Sequence, residues 1–194
     1  MIEQLNYTLF HLINQYAGVN PVVDTLAILA AKYMPLIVVV GMIFLWIKNG
    51  KRTRDIVLYG FYAAILGLIL NYLIGFVYFH PRPFMIPTGT LLFPYSADSS
   101  FPSDHSTLIF SMALLLTFFK ETRIAGLIFL VLGLIGGFAR VFSGLHFPFD
   151  ILGSIPVALI SAIIIYEIRN VFKPINDFIK GLYAKITALT IKKG

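Results

Sequence analysis

The stretch IAGLIFLVLGLIGGFARVF, residues 124–142, carries a single ionisable side chain, Arg140. A bilayer core about 30 Å thick is crossed by roughly 20 helical residues. In lipid the backbone polar groups must be satisfied within the segment, which a helix does. The run therefore reads as a transmembrane helix. Gly133 and Gly137 stand four residues apart within it and mark a face of close helix packing. Arg140 is costly in such surroundings, and a charge kept there points to a site.

The rest of the chain has the same character. Its 194 residues are 58% hydrophobic and 12% charged, with a mean hydropathy of +0.86, against roughly 45–50% apolar and about 25% charged in a soluble domain. Four further spans are expected over about 22–47, 55–79, 104–119 and 151–168. The third of these is at the short limit for crossing, so its helix is expected to continue past Phe119 toward Thr122. Pro35 and Pro156 fall inside spans as candidate kinks. Ser154, Ala158 and Ala162 repeat small residues at the packing interval.

Two segments are amphipathic rather than spanning. Ile2, Leu5, Leu9, Leu12, Ile13 and Tyr16 recur at helical spacing among polar residues, and predict an interfacial helix carrying His11 as an ordinary interface residue. Gly18 can end it, and Asn20-Pro21 supplies a cap and first residue for the next helix. After Pro174, Ile175, Phe178, Ile179, Leu182, Tyr183, Ile186 and Leu189 alternate with lysines, which predicts a second such helix on an anionic leaflet. The fold expected is an all-α polytopic membrane bundle of five spans plus two interfacial helices. It forms one domain over 1–194 with its core at about 55–168, and contains no repeat.

Charge orients the bundle. Twelve of the fifteen basic residues lie between spans one and two, between three and four, or after five. In an alternating topology those segments share one side, which the positive-inside rule makes cytoplasmic. The same rule accounts for the net charge of +6, and without aromatic residues interleaved in a basic stripe no nucleic-acid partner is expected. Cysteine is absent, so disulfides and thiolate chemistry are excluded. The opening residues lack the basic and apolar regions of a secretory signal peptide.

This topology gathers residues 80–84, 101–105 and 139–150 on the outer side. They hold Arg82, Ser103, Asp104, His105, Arg140, His146 and Asp150. Arginine forks match phosphate oxygens, and Ser103 opens a helix whose N-terminus suits an anion, although a plain helix cap explains Ser103 equally well. His146 and Asp150 are four residues apart, so the carboxylate can fix the imidazole tautomer and leave the other ring nitrogen as a nucleophile. These groups suit phosphoryl transfer without a metal. His146 attacks phosphorus, Asp150 stabilises the imidazolium, His105 protonates the leaving oxygen, and Arg82, Arg140 and the amides after Ser103 hold the equatorial oxygens. His80 and Asp98 belong to no motif and read as loop residues.

Arg82-Pro83, then Pro102-Ser103-x-His105, then Arg140-x5-His146-x3-Asp150 resembles the type 2 phosphatidic acid phosphatase superfamily over about residues 55–168. The small size and the stretches at 71–74, 80–84 and 101–105 are similar to the bacitracin-resistance type of bacterial undecaprenyl-diphosphatase. The resemblance implies His146 as nucleophile, Asp150 as its partner, His105 as acid, and Arg82, Ser103 and Arg140 as phosphate ligands, with no metal or other cofactor. Three positions depart from the superfamily pattern: Gly75 stands where it has a lysine, Asp104 where it usually has glycine, and Ala139 where it usually has serine. Asn71, one turn before Gly75, reaches toward the site or makes an interhelical bond. Lys32 either supplies the missing cation or snorkels to the outer surface. Asp104 is expected to orient His105 or a water.

An outward site among apolar helices suits a substrate whose tail stays in lipid, and the resemblance implies undecaprenyl diphosphate. That would make the chain a plasma-membrane hydrolase of cell-wall lipid-carrier recycling. A glycerolipid phosphatase is the alternative within the class, and a lipid transporter or channel the alternative outside it. No oligomeric state follows from the sequence.

Overall fold

The computed structural model describes residues 1–86 and 88–191. Among the described residues seven α-helices run α1 Ile2–Asn14, α2 Pro21–Lys48, α3 Lys51–Val77, α4 Asp104–Thr117, α5 Arg123–Phe142, α6 Pro148–Ile168 and α7 Lys173–Ile191, with short 3-10 turns at Pro83–Met85 and Arg169–Phe172. Among these residues four helical stretches are long and apolar enough to cross a membrane: Pro21–Lys48, Lys51–Val77, Arg123–Phe142 and the run Pro148–Leu189. Their outward faces are apolar, with Phe76, Val77, Ile124, Val131, Phe138 and Ile160 exposed, as a multi-pass membrane protein requires. Asn20 caps α2, its Oδ1 accepting from the N–H groups of Val22 and Val23.

At the centre stands α4, packed against α3, α5 and α6. Its Ile109, Phe110, Met112, Ala113, Leu115 and Leu116 are buried. The small residues of the neighbouring helices allow this approach. A Cβ on Gly133 would sit 2.6 Å from Phe110, and one on Gly137 2.6 Å from Ile151. Ser154, Ala158 and Ala162 are fully buried on α6.

One expectation is corrected. The helix of α4 does not extend toward Thr122; it stops at Thr117 after 14 residues, about 21 Å at 1.5 Å per residue and short of a bilayer core. Side-chain hydroxyls take over its last carbonyls: Thr117 Oγ1 donates to Leu114 O at 2.6 Å and Thr122 Oγ1 to Leu116 O at 2.8 Å, so the chain turns before α5. Enclosed by other helices, α4 can be short. In α1 the apolar residues Ile2, Leu5, Leu12 and Tyr16 are exposed, and the face turned to the bundle is Asn6, Phe10 and Asn14. The two asparagines bind backbone. Asn14 donates to Thr90 O (2.8 Å) and Phe142 O (2.7 Å), and Asn6 accepts from the Phe149 N–H (3.0 Å).

The two ends of the bundle differ in chemistry. At one end Arg52 pairs with Glu121 (2.7 Å), and Asp55 ties α3 to Lys180 of α7 (2.7 Å) and to Asn176 (3.0 Å). At the other end the segment after α3, the loop before α4 and the α5–α6 connection meet under α1.

Candidate active site

Gly144 sets the approach to the site. Its φ of +78° turns the chain out of α5, and Leu145 N–H closes on Arg140 O at 3.0 Å, an arrangement that suits glycine. His146 follows directly, and Pro148 then opens α6 with Asp150 in its first turn. Arg140, His146 and Asp150 are each at most 1% exposed. The sequence-predicted spacing thus brings one helix end and the next helix start into a single buried cluster.

Both arginines converge on the histidine. Arg82 Nη1 lies 2.9 Å and Arg140 Nη2 3.1 Å from His146 Nε2. A guanidinium has only donors, so Nε2 is the acceptor and the ring proton sits on Nδ1. That proton faces Ser100 Oγ at 3.2 Å, and Ser100 in turn donates to Asp150 Oδ2 through a short hydrogen bond. The direct His146 Nδ1 to Asp150 Oδ2 separation is 3.4 Å, so the serine hydroxyl mediates between ring and carboxylate. The same Oδ2 accepts from Phe147 N–H at 2.7 Å. Burial, and after it the Arg140 guanidinium, push the His146 pKa down to about 3, against the opposing effect of Asp150. At neutral pH the ring is uncharged, with its Nε2 lone pair directed at two cations.

The arginines are held by groups that an anion can replace or join. Arg82 Nε pairs with Asp98 at 2.7 Å, and its other nitrogens donate to Leu145 O and Ser99 O. Arg140 donates to Ala31 O at 3.2 Å and leaves Nε without a partner. Tyr95 lies under both guanidinium groups, at 4.8 Å from Arg82 and 4.9 Å from Arg140. The half-buried His105 meets Tyr95 edge-on, with ring centroids 6.4 Å apart. A tetrahedral oxyanion seated against Nε2 would therefore meet two guanidinium forks.

The remaining predicted residues lie at varying distances from this cluster. Ser103 caps α4, accepting from Ser106 N–H, while its own N–H reaches Asp150 O at 3.2 Å. Asn71 makes an interhelical set of bonds, donating to Asp104 Oδ1 (2.9 Å) and Pro102 O (3.3 Å) and accepting from Thr107 (3.1 Å). The Asp104 carboxylate thus accepts from Asn71, one helix away. Lys32 is exposed, with its ammonium 4.4 Å over the Phe93 ring. Gly75, Asn71, Asp98 and Asp104 line a cavity of ≈ 480 Å³ beside the cluster, walled on its apolar side by Leu68, Tyr72, Phe76 and Phe79. Among the described residues no group of three or more His, Asp or Glu side chains is arranged to hold a metal ion.

Sequence reasoning missed Ser100 and Tyr95, and it read Asp98 and His80 as loop residues. The last two carry a usable signal. Ionisable groups are scarce in this chain, and Asp98 is the one carboxylate between residues 86 and 103, so the criterion that singled out Arg140 applied equally to it and to His80.

Fold and site together are those of a multi-pass membrane protein with a buried cluster of arginines, histidine and carboxylate at one end of a helical bundle. The model of the PAP2 superfamily matches residues 55–173, and the chain belongs to that superfamily. It is 35% identical over 191 residues to undecaprenyl-diphosphatase BcrC of Bacillus subtilis (strain 168), covering 97% of each chain. It is 31% identical to the bacitracin transport permease protein BcrC of Bacillus licheniformis, covering 95% of this chain and 90% of that one. The crystal structure of Aquifex aeolicus LpxE superposes with a TM-score of 0.68 at 26% identity, over 84% of this chain and 95% of that one.

Proposed function

We propose that this protein hydrolyses undecaprenyl diphosphate to undecaprenyl phosphate and inorganic phosphate through a phosphohistidine on His146. The observation that carries the reading is the convergence of Arg82 and Arg140 on His146 Nε2, with Nδ1 anchored through Ser100 to Asp150. When the terminal phosphate enters, the guanidinium groups turn from Nε2 to its oxygens, and the freed lone pair attacks phosphorus in line. The N–P bond forms as the bridging P–O bond breaks. His105 delivers a proton to the departing undecaprenyl phosphate, and the positive charge left on the His146 ring is balanced by Asp150 through Ser100. Water then attacks phosphorus with His105 as base, the P–N bond breaks, and phosphate leaves. The arginines stabilise the equatorial oxygens in both steps.

In the membrane, α2 to α6 form five crossings, with the short α4 held inside the protein. The basic end, with Arg52 and Lys180, is cytoplasmic, and the site opens outward, where cell-wall polymer synthesis leaves the lipid diphosphate. The apolar wall of the cavity at Phe76 and Phe79 suits a chain that remains in lipid. Destroying the diphosphate target would confer bacitracin resistance, in keeping with the names of the relatives.

The test is release of phosphate by the purified protein from undecaprenyl diphosphate, side by side with phosphatidylglycerophosphate and phosphatidate, in EDTA and with His146→Ala. Undecaprenyl diphosphate should turn over fastest, and His146→Ala should abolish it. Faster turnover of a glycerolipid phosphate would move the substrate assignment, and absence of phosphate release from every substrate would leave transport as the reading.

A further inference from the structure

His80 lies outside the mechanism above, yet its ring faces the catalytic carboxylate from the side opposite His146. Asp150 Oδ2 holds Ser100 and Phe147 and approaches His146, whereas its Oδ1 has one near group, His80 Nδ1 at 3.4 Å. Among the described residues neither of these two atoms has a hydrogen-bond partner, and both are buried, so they stand as a close pair. A buried carboxylate oxygen without a donor is costly, so this contact is what balances it. On its other edge His80 Nε2 lies 3.4 Å from Glu3 Oε1 of α1.

We propose that His80 is a positioning residue for the nucleophile. It fixes the plane of Asp150 through Oδ1, with Glu3 holding His80 in that orientation, so that the N-terminal helix forms part of the phosphoryl-transfer site. The proposal rests on His146 being the nucleophile.

With a carboxylate at each ring nitrogen, the form of His80 that satisfies both is the imidazolium. Its contact with Asp150 raises its pKa against the opposing effect of burial, and Glu3 adds to the rise. The charged and titratable groups around it are Asp150 from α6, Glu3 from α1 and Tyr78 from its own segment, whose ring stacks on it at 6.1 Å; Phe147 meets it edge-on at 5.4 Å. Arg82, two residues on, points away to Asp98 and the Leu145 and Ser99 carbonyls. The backbone of His80 also carries the bridging serine, because Ser100 N–H donates to His80 O at 2.7 Å. One residue thus supports both members of the couple that orients His146. Without it, Asp150 can rotate to find another donor for Oδ1, and the serine relay then loses its register with Nδ1.

The experiment measures kcat and KM of the full-length protein on undecaprenyl diphosphate for His80→Leu, His80→Asn and Glu3→Gln. It repeats His80→Leu in an Asp150→Asn background under single-turnover conditions. His80→Leu should lower kcat about 10- to 100-fold with KM within about twofold, the pattern of a lost transition-state interaction. His80→Asn places an amide donor where Nδ1 stood and should recover to within about threefold of wild type, and Glu3→Gln should cost about threefold. Once Asp150 is Asn, His80→Leu should cost less than about twofold, because residues acting as one unit are not additive. Full additivity, or His80→Asn as impaired as His80→Leu, would overturn the proposal. If His80→Leu folds poorly, the other two variants decide it: His80→Asn more than about tenfold impaired, or Glu3→Gln indistinguishable from wild type in kcat and in the histidine ring signals of His146, would count against it. Activity surviving in His146→Ala would instead remove the reading beneath, whatever His80 does.

Discussion

Replacing Ser100 by alanine tests whether the hydroxyl between His146 and Asp150 transmits the carboxylate's hold on the nucleophile. Ser100 is fully buried and its Oγ is the nearest acceptor to His146 Nδ1, at 3.2 Å. A hydrogen bond to a charged group contributes about 1.5–3 kcal/mol net. The loss should fall at the lower end, because Nδ1 and Oδ2 are already 3.4 Å apart and can close part of the gap. About 1.5 kcal/mol corresponds to about tenfold in rate. Initial rates of phosphate release across substrate concentrations should therefore give kcat about tenfold below wild type, with KM little changed because Ser100 touches neither arginine. An unchanged kcat would mean that Asp150 acts on His146 directly. A loss as complete as that of His146→Ala would mean that the serine takes part in the chemistry itself.

Gly144→Ala should cost about 1–2 kcal/mol from the left-handed backbone alone, with the added methyl driven into the Thr90 carbonyl; a thermal melt unchanged from wild type would refute this account of the turn. In histidine-selective nitrogen NMR, His146 should stay neutral with its proton on Nδ1 from pH 5 to 8, since its pKa lies near 3, whereas His80 should titrate above its ordinary value of 6.5. Because the folded pKa of His80 is raised, the stability from its carboxylate contacts is complete below pH 6.5 and fades as pH rises through the raised value; an acid-side loss of that stability would reverse the assignment. His105→Ala should impair hydrolysis of a lipid monophosphate more than of undecaprenyl diphosphate, whose phosphate-ester leaving group needs less protonation; equal losses on both would contradict the diphosphate reading.

The sequence revealed those parts of the structure that depend on local chemistry. Apolar runs gave the helices, Asn20 its cap, and Gly133 and Gly137 the close packing of α5, because each follows from residues near one another in the chain. The motif spacing brought Arg140, His146 and Asp150 together for the same reason: a helix end, a turn at Gly144 and a helix start fix their relative positions. Contacts between loops were less legible. Ser100 is one of several serines between 96 and 106, and nothing in its spacing distinguishes the hydroxyl that meets His146. The inward face of α1 was not legible because its asparagines bury themselves by binding the backbone carbonyls of Thr90 and Phe142, which hydrophobic periodicity does not register. The end of α4 depended on threonine hydroxyls that compete for carbonyls, a local effect too small to show in hydropathy.

The most direct test of the central claim is to quench the enzyme at alkaline pH during turnover of undecaprenyl diphosphate radiolabelled in its terminal phosphate, and to map the label. The account predicts an acid-labile, alkali-stable phosphoryl group on His146 and none on His146→Ala. Label on another residue, or rapid turnover by His146→Ala, would contradict it.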